Sequence, residues 1–261
     1  MVKKSQLDKY YTKPEIAELC LSSIEGSYDL WVEPSAGAGA FLRRLPNPRV
    51  GLDLAPDDDE ILEQDFFTWT PPKNKSIAVV GNPPFGTNSS LAIKFFNEAA
   101  KWATLIAFIV PKTFKKVSVQ NKLNLNWVLN HEIDLPLKSF QLLDDKGSLT
   151  DYSVPCVWQV WDPGTREKIN LATKHKDWVW TDKKSATYAM RRVGGLAGKC
   201  FTDFEQYATA SHYFFTCDEV VYNRLVSLYT EFQKISKNTA GNPSLSKGEL
   251  VHIYKKALAS S

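Results

Sequence analysis

The stretch Val79-Val80-Gly81-Asn82-Pro83-Pro84-Phe85-Gly86 joins residue types that suit one kind of chemistry, the alkylation of a planar amino group. Such a nitrogen is a poor nucleophile because its lone pair is delocalised into the ring or carbonyl that carries it. Two fixed acceptors for its two protons favour a pyramidal nitrogen with a localised lone pair. The Asn82 side-chain oxygen and a backbone carbonyl, that of Pro83, can supply the two acceptors, and Phe85 can stack on the ring. Pro83 and Pro84 fix two φ angles, remove two N–H donors and push each preceding residue out of the helical region. The turn is therefore stiff and extended. It closes the apolar run Ile77 to Val80, which reads as a buried strand. In open α/β sheets, ligands bind just outside the carboxyl ends of strands. Asn-Pro and Pro-Pro also serve as ordinary turn signals, so the chemistry needs support from the rest of the chain.

Upstream, Leu30-Trp31-Val32-Glu33 is a short buried strand. It runs into Pro34-Ser35-Ala36-Gly37-Ala38-Gly39-Ala40-Phe41, a small-residue loop that should open a helix. Gly37 and Gly39 allow close approach of a ligand to backbone. The fit to G-x-G-x-x-G is incomplete, because Leu42 stands at the third glycine. A strand, an acid, G-x-G and a helix in that order point to an adenosyl cofactor. A second strand, Val50 to Leu54, carries Asp53 near its end, 14 residues past Gly39, where an acid commonly takes ribose hydroxyls. Asp65 could bond an adenine amino group while Phe66 covers the ring; a loop acid beside core aromatics is an equal alternative. Tyr11 and Thr12 precede a helix in which Thr12 is the expected N-cap and Pro14 lies in the first turn. They could hold a carboxylate at the helix N-terminus, or simply begin a capped surface helix.

The elements that must position these residues repeat as strand then helix. Leu91 to Ala100 reads as an amphipathic helix, Thr104 to Val110 as a buried strand and Val154 to Trp161 as another. The natural outcome is an α/β fold with a parallel, doubly wound sheet. The 261 residues, 43% apolar, suffice for one large domain or one domain with an appendage. Four cysteines show no C-x-x-C pair and no metal spacing with the four histidines, as expected of reduced thiols in an intracellular protein. Asp57-Asp58-Asp59-Glu60 reads as a solvated loop, and no metal site is expected. The start, Met1-Val2-Lys3-Lys4, is not followed by an apolar core, so no signal peptide is expected. No run approaches the length of a membrane span.

Composition shifts after residue 165, which sets expected domains of 1–165 and 166–261. Between 166 and 199, nine Lys and Arg stand against three acids, a balance of +6. Trp178, Trp180 and Tyr188 are interleaved with them, and Arg191 and Arg192 open a glycine-rich loop. Basic and aromatic residues together suit a polynucleotide backbone; a solvated face with a core tryptophan pair is the other reading.

The order of these pieces resembles the S-adenosylmethionine-dependent amino-methyltransferases, notably the adenine-N6 enzymes, over residues 8–161. Glu33-Pro34-Ser35-Ala36-Gly37-Ala38-Gly39-Ala40-Phe41 looks like the family's cofactor-binding first motif. Asp53 and Asp65 stand where the family places its ribose and adenine acids, with Phe66 beside the second. Asn82-Pro83-Pro84-Phe85 matches the catalytic turn without departure. Tyr11-Thr12-x-Pro14 lies ahead of the first motif, as in the gamma-type order. The resemblance implies S-adenosyl-L-methionine as cofactor and a Rossmann-like methyltransferase fold, a mostly parallel seven-stranded sheet with one reversed strand, here with a small C-terminal appendage. It implies a target base flipped out of its stack, its other face covered by a later aromatic, for which Phe140, Trp158 and Trp161 are the candidates. Lys112, Arg191 and Arg192 are further substrate-binding candidates, the two arginines as phosphate contacts. The expected activity is methyl transfer to N6 of adenine in a nucleic acid, DNA ahead of RNA. Cytosine N4, guanine N2 and a protein glutamine amide are alternative targets, and a non-catalytic nucleic-acid-binding subunit is the alternative of another class.

Overall fold

The structure, a computed structural model, describes residues 10–143 and 148–259; the start at residues 1–4 read above lies outside them. The chain divides into two compact units, Met1–Lys168 and Ile169–Ser261. Arg166 belongs to the first, because its guanidinium donates to the carbonyls of Trp127 at 2.9 Å and Gln120 at 2.7 Å. The composition shift at 165/166 therefore precedes the structural division by three residues.

The first unit runs β1 (Tyr11–Thr12), α1 (Pro14–Leu21), β2 (Leu30–Glu33), β3 (Arg49–Asp53), β4 (Ile61–Glu63), β5 (Ile77–Gly81) and α2 (Ser90–Ala99). It continues with β6 (Leu105–Pro111), α3 (Val117–Gln120), β7 (Trp127–Asp134), β8 (Phe140–Leu143), β9 (Leu149–Tyr152) and β10 (Cys156–Pro163). Seven strands form one sheet in the order β4-β3-β2-β5-β6-β10-β7. The five from β4 to β6 pair in parallel. β10 runs antiparallel to both β6 and β7. This is the expected doubly wound, mostly parallel sheet with one reversed strand. β5 and β6 at its centre carry no polar side chain because both faces are covered. Ala78 and Val80 of β5 pack on the α1 side with Ile16 and Cys20. Ile77 and Val79 pack on the α2 side with Phe95 and Phe96. A separate antiparallel sheet, β1-β8-β9, lies in the same unit.

Two expectations for local structure fail. The helix after the glycine loop is only a 3₁₀ turn, Leu42–Arg44. Pro46 and Pro48 follow at once, and Leu45 is already extended. Thr12 does not cap α1. The cap position is Lys13, with no side-chain bond, and the Thr12 hydroxyl is engaged elsewhere.

The second unit is a four-stranded antiparallel sheet from β11 (Val179–Trp180), β12 (Tyr188–Arg191), β13 (Cys200–Phe201) and β14 (His212–Thr216). Three helices follow: α4 (Glu219–Ser227), α5 (Tyr229–Ser236) and α6 (Lys247–Ala259). Ser246 and Glu249 form a reciprocal capping box at the start of α6. Trp178 is buried in this unit's core with Phe232 and Tyr254, and Trp180 packs edge-on against it. The pair thus follows the core reading. All four cysteines are free thiols. Among the described residues no helix is long and apolar enough to cross a membrane.

Candidate functional site

Strand order reverses between β2 and β5: β3 and β4 lie outward of β2, and β6 lies outward of β5. Their carboxyl ends are the place where a doubly wound sheet opens a crevice. The glycine loop leaves β2 there, and the Asn82 turn leaves β5. Between them lies a cavity of about 340 Å³, lined by Pro34 to Ala38, Asp53, Asp65, Phe66, Asn82 and Pro83, among others. That volume suits a small organic ligand.

Asn82 sits on the cavity wall. Its side-chain nitrogen donates to the Tyr10 carbonyl at 3.3 Å and to Thr12 Oγ1 at 3.2 Å. Its backbone carbonyl accepts from Ser35 Oγ at 3.2 Å, tying the turn to the glycine loop. Its Oδ1 is buried and has no hydrogen-bond partner. Nearly all buried polar atoms are paired, so this unpaired acceptor has capacity for one more hydrogen bond. Pro83 and Pro84 line the same wall.

The glycine loop is held by two carboxylates. Asp53 Oδ2 accepts from the Gly37 N–H at 2.8 Å, and its Oδ1 accepts from the Ala55 N–H at 2.9 Å. Gly37 has φ +53° and Gly39 has φ +75°, values that L side chains rarely adopt. A Cβ on Gly39 would also lie 2.8 Å from Arg43 Nη1. Glu33, buried at the end of β2, accepts from the Leu42 N–H at 2.7 Å. Burial pushes its carboxyl well above the usual carboxylate range; the Asp53 charge adds to this, and the N–H groups of Leu42 and Phe41 oppose it. Tyr11 donates to Asp57 Oδ2 at 2.8 Å, and burial first, then this bond, raises its phenol above its ordinary range.

The raised Glu33 value has a consequence for stability. Between 4.5, its ordinary value, and its folded value, the folded protein holds a proton that the unfolded chain has lost. This group's contribution is complete below the unfolded value and fades as pH rises through the folded one. Glu33→Gln is a neutral substitute of the same shape. Its thermal midpoint relative to wild type is expected to rise steadily as pH increases above 4.5. A difference that stays flat from pH 4 to pH 8 would show Glu33 ionised in the folded state.

Several sequence candidates lie elsewhere. Phe41 is wholly buried and stacked on Trp158, with centroids 5.7 Å apart. Trp158 donates its indole N–H to Ser23, and Trp161 donates to Gln159 within β10. Both tryptophans and Phe140 are at most 2% exposed, so no ring face remains for a base. For the two tryptophans the reason is that β10 is an inner strand with both faces covered, Trp161 in the core with Phe96 and Trp158 in the core with Phe41. Phe140 lies on β8 and packs into the same core as Trp158. Lys112 is neutralised by Asp134 at 3.0 Å. Arg191 donates to the Val193 carbonyl and Arg192 to the Ala210 carbonyl, so both guanidinium groups brace their own loops. Phe85 is 9% exposed and packs in the core beside Tyr10, at 6.1 Å and 24°.

Phe66 is buried against Phe95, and its neighbour Phe67 is 38% exposed at the cavity. The 3₁₀ turn Phe66–Thr68, capped by Asp65 through the Phe67 N–H, turns one ring inward and the other outward. Tyr10, Gln64 and Phe67 all line the cavity and were not singled out from sequence. Two adjacent aromatics in a loop were the available signal for Phe67, since one turn seldom buries both. Asp57, Asp58 and Glu60 are tied to Tyr11, Arg43 and Arg49 respectively. Among the described residues no group of His, Cys, Asp and Glu could hold a metal ion.

No protein-family model and no curated protein sequence matches the chain. Solved structures resemble it at a distance. A Pyrococcus horikoshii protein assigned as an RNA methyltransferase is 16% identical, with a TM-score of 0.46 over 62% of this chain and 89% of its own. The 23S rRNA methyltransferase ErmE is 14% identical, with a TM-score of 0.40 over 62% of this chain and 73% of its own. A modification subunit assigned to a type I restriction enzyme of Vibrio vulnificus is 12% identical, with a TM-score of 0.43 over 93% of this chain and 56% of its own. These values are too low to carry residue roles, which rest on the geometry of the site itself.

Proposed function

We propose that the first unit transfers a methyl group from S-adenosylmethionine to N6 of adenine in a polynucleotide, DNA ahead of RNA. The observation that carries this reading is Asn82, a residue of the cavity wall whose Oδ1 is a buried acceptor without a partner. An amino group of the target supplies the missing donor. The cavity's other side suits the cofactor. Asp53 has lone pairs beyond those used by Gly37 and Ala55 for ribose hydroxyls, and Asp65 stands beside Phe66 and Phe67 for the adenine. When bound, S-adenosylmethionine supplies an electrophilic methyl group. The chain orients its nucleophile. Asn82 Oδ1 and the Pro83 carbonyl accept the two protons of the target amine, which localises its lone pair. Both acceptors are rigid before binding, so little reorganisation accompanies reaction. The proton lost after methylation passes to solvent.

A nucleic-acid partner is supported by the exposed Lys174, Lys176, Lys184 and Lys199 of the second unit, which take the phosphate role first given to Arg191 and Arg192. The test is incubation with labelled S-adenosylmethionine and adenine-containing DNA and RNA, digestion to nucleosides and identification of the labelled base by mass. N6-methyladenosine or its deoxy form is expected. Label on cytosine or guanine would replace adenine as the target. Label on protein alone would overturn the nucleic-acid reading.

A further inference from the structure

We infer that Thr12 is a positioning residue that locks the plane of the Asn82 amide, so that Oδ1 faces the substrate. The inference rests on the reading of Asn82 as the acceptor of the target amine. The terminal torsion of an asparagine is broad and nearly two-fold, so a free side chain would present its oxygen and its nitrogen to the cavity almost equally. Two groups, one just before β1 and one within it, remove that freedom. The Tyr10 carbonyl, 3.3 Å from Nδ2, can only accept, so it selects which end of the amide points toward β1. The Thr12 hydroxyl, 3.2 Å from the same nitrogen, accepts the second proton and fixes the plane. Thr12 is 8% exposed, so water cannot readily replace it. With both nitrogen protons spent, Oδ1 is the only polar atom of the side chain left to serve a ligand.

The lock is remote in sequence and rigid in space. Thr12 lies 70 residues before Asn82. β1 is held by pairing with β8, Tyr11 opposite Gln141 and Thr12 opposite Phe140. Just beyond, the Lys13 N–H bonds the Ser139 carbonyl at 3.1 Å, and Lys13 Nζ pairs with Asp151 at 2.7 Å. The small β1-β8-β9 sheet thus has a chemical task, which is to deliver two acceptors to the amide nitrogen of the catalytic turn. Its contribution concerns the target amine and leaves the cofactor side of the cavity to Asp53 and the glycine loop.

Thr12→Val keeps the shape and removes the acceptor, and Thr12→Ser keeps the acceptor. Single-turnover methylation of an adenine-containing oligonucleotide at saturating S-adenosylmethionine is expected to slow about five- to tenfold in Thr12→Val, the scale of one neutral hydrogen bond. Thr12→Ser should restore the rate to within about twofold, and cofactor affinity should change by less than about twofold in either. Thr12→Val added to Asn82→Ala should cost nothing more, since no amide remains to be oriented. A normal rate in Thr12→Val beside a slow Asn82→Ala would overturn the inference and leave the reading of Asn82 intact. A normal saturated rate with weakened cofactor binding would make Thr12 a cofactor ligand instead. A normal rate in Asn82→Ala would remove the underlying reading. A readout without turnover accompanies these: the Asn82 side-chain amide pair in a nitrogen-15 correlation spectrum, identified by its loss in Asn82→Ala. In Thr12→Val this pair should shift or broaden, and in Thr12→Ser it should stay in place. An unmoved pair in Thr12→Val would overturn the inference even if no oligonucleotide were methylated.

Discussion

Asn82→Ala is expected to slow methyl transfer by roughly 100-fold or more while leaving the fold and cofactor affinity near normal. The magnitude is that of removing one oriented hydrogen-bond partner from a reacting group. The side chain gives up two hydrogen bonds, to Tyr10 and Thr12, but the backbone of the turn is held by other means. Pro83 and Pro84 fix its course, and the Ser35 hydroxyl still reaches the residue 82 carbonyl. Cofactor affinity is expected to be set by Asp53 and the glycine loop, whose own hydrogen bonds the substitution leaves in place. Asn82→Asp keeps an acceptor, yet it turns a carboxylate oxygen toward the Tyr10 carbonyl. Its activity is therefore expected between those of wild type and Asn82→Ala. Phe85 makes a poorer probe, because its ring is core. Phe85→Ala should cost about 3–5 kcal/mol of stability and confuse folding with chemistry. Single-turnover assays run beside calorimetric cofactor titration check this. Full activity in Asn82→Ala would reduce the turn to a structural feature.

The place of the Asn82 turn, at the end of a buried strand and on the cavity wall, could be read from sequence because its signals are local. Prolines stiffen it, an apolar strand delivers it, and a strand's carboxyl end is where such a sheet binds ligands. The same locality exposed the glycine loop and Asp53. Thr12 could not be read in this way. Thr-x-Pro-Glu is a sound N-terminal pattern, but the amide of a residue 70 positions away claims the hydroxyl, and Lys13 begins the helix uncapped. Trp158 and Trp161, two of the three aromatics proposed for the base, are enclosed for a topological reason. An apolar strand near the end of a domain does not declare whether it is an edge or an inner strand. β10 lies between β6 and β7, and its two faces pack into the cores on the two sides of the sheet, Trp161 with Phe96 and Trp158 with Phe41. Arg191 and Arg192 each spend a donor on a backbone carbonyl of the loops around them, which a charge count does not show. The expected helix after Gly39 met Pro46 and Pro48 before it could complete a second turn.

Asp53→Ala is expected to weaken binding of S-adenosylmethionine and of its demethylated product about 10- to 100-fold, the scale of hydrogen bonds to a charged acceptor. The side chain is expected to act twice. Toward the cavity, its free lone pairs take ribose hydroxyls. Toward the protein, its two oxygens already hold the N–H groups of Gly37 and Ala55 at 2.8 and 2.9 Å. Truncation therefore leaves the glycine loop, with its left-handed Gly37, without its acceptor. A lowered thermal midpoint should accompany the loss of affinity. The two effects separate by ligand. If the carboxylate binds ribose, 5′-methylthioadenosine should lose as much affinity as the complete cofactor, although it lacks the amino-acid end. If Asp53 only shapes the loop, Asp53→Asn should rescue little of the midpoint and the loss should extend unevenly to groups far from the ribose. Asparagine keeps one oxygen for one N–H and sets an amide nitrogen against the other. Calorimetry with the three ligands on wild type and both variants decides the matter. Wild-type affinity for all three in Asp53→Ala would remove Asp53 from the site and move the ribose to another part of the cavity.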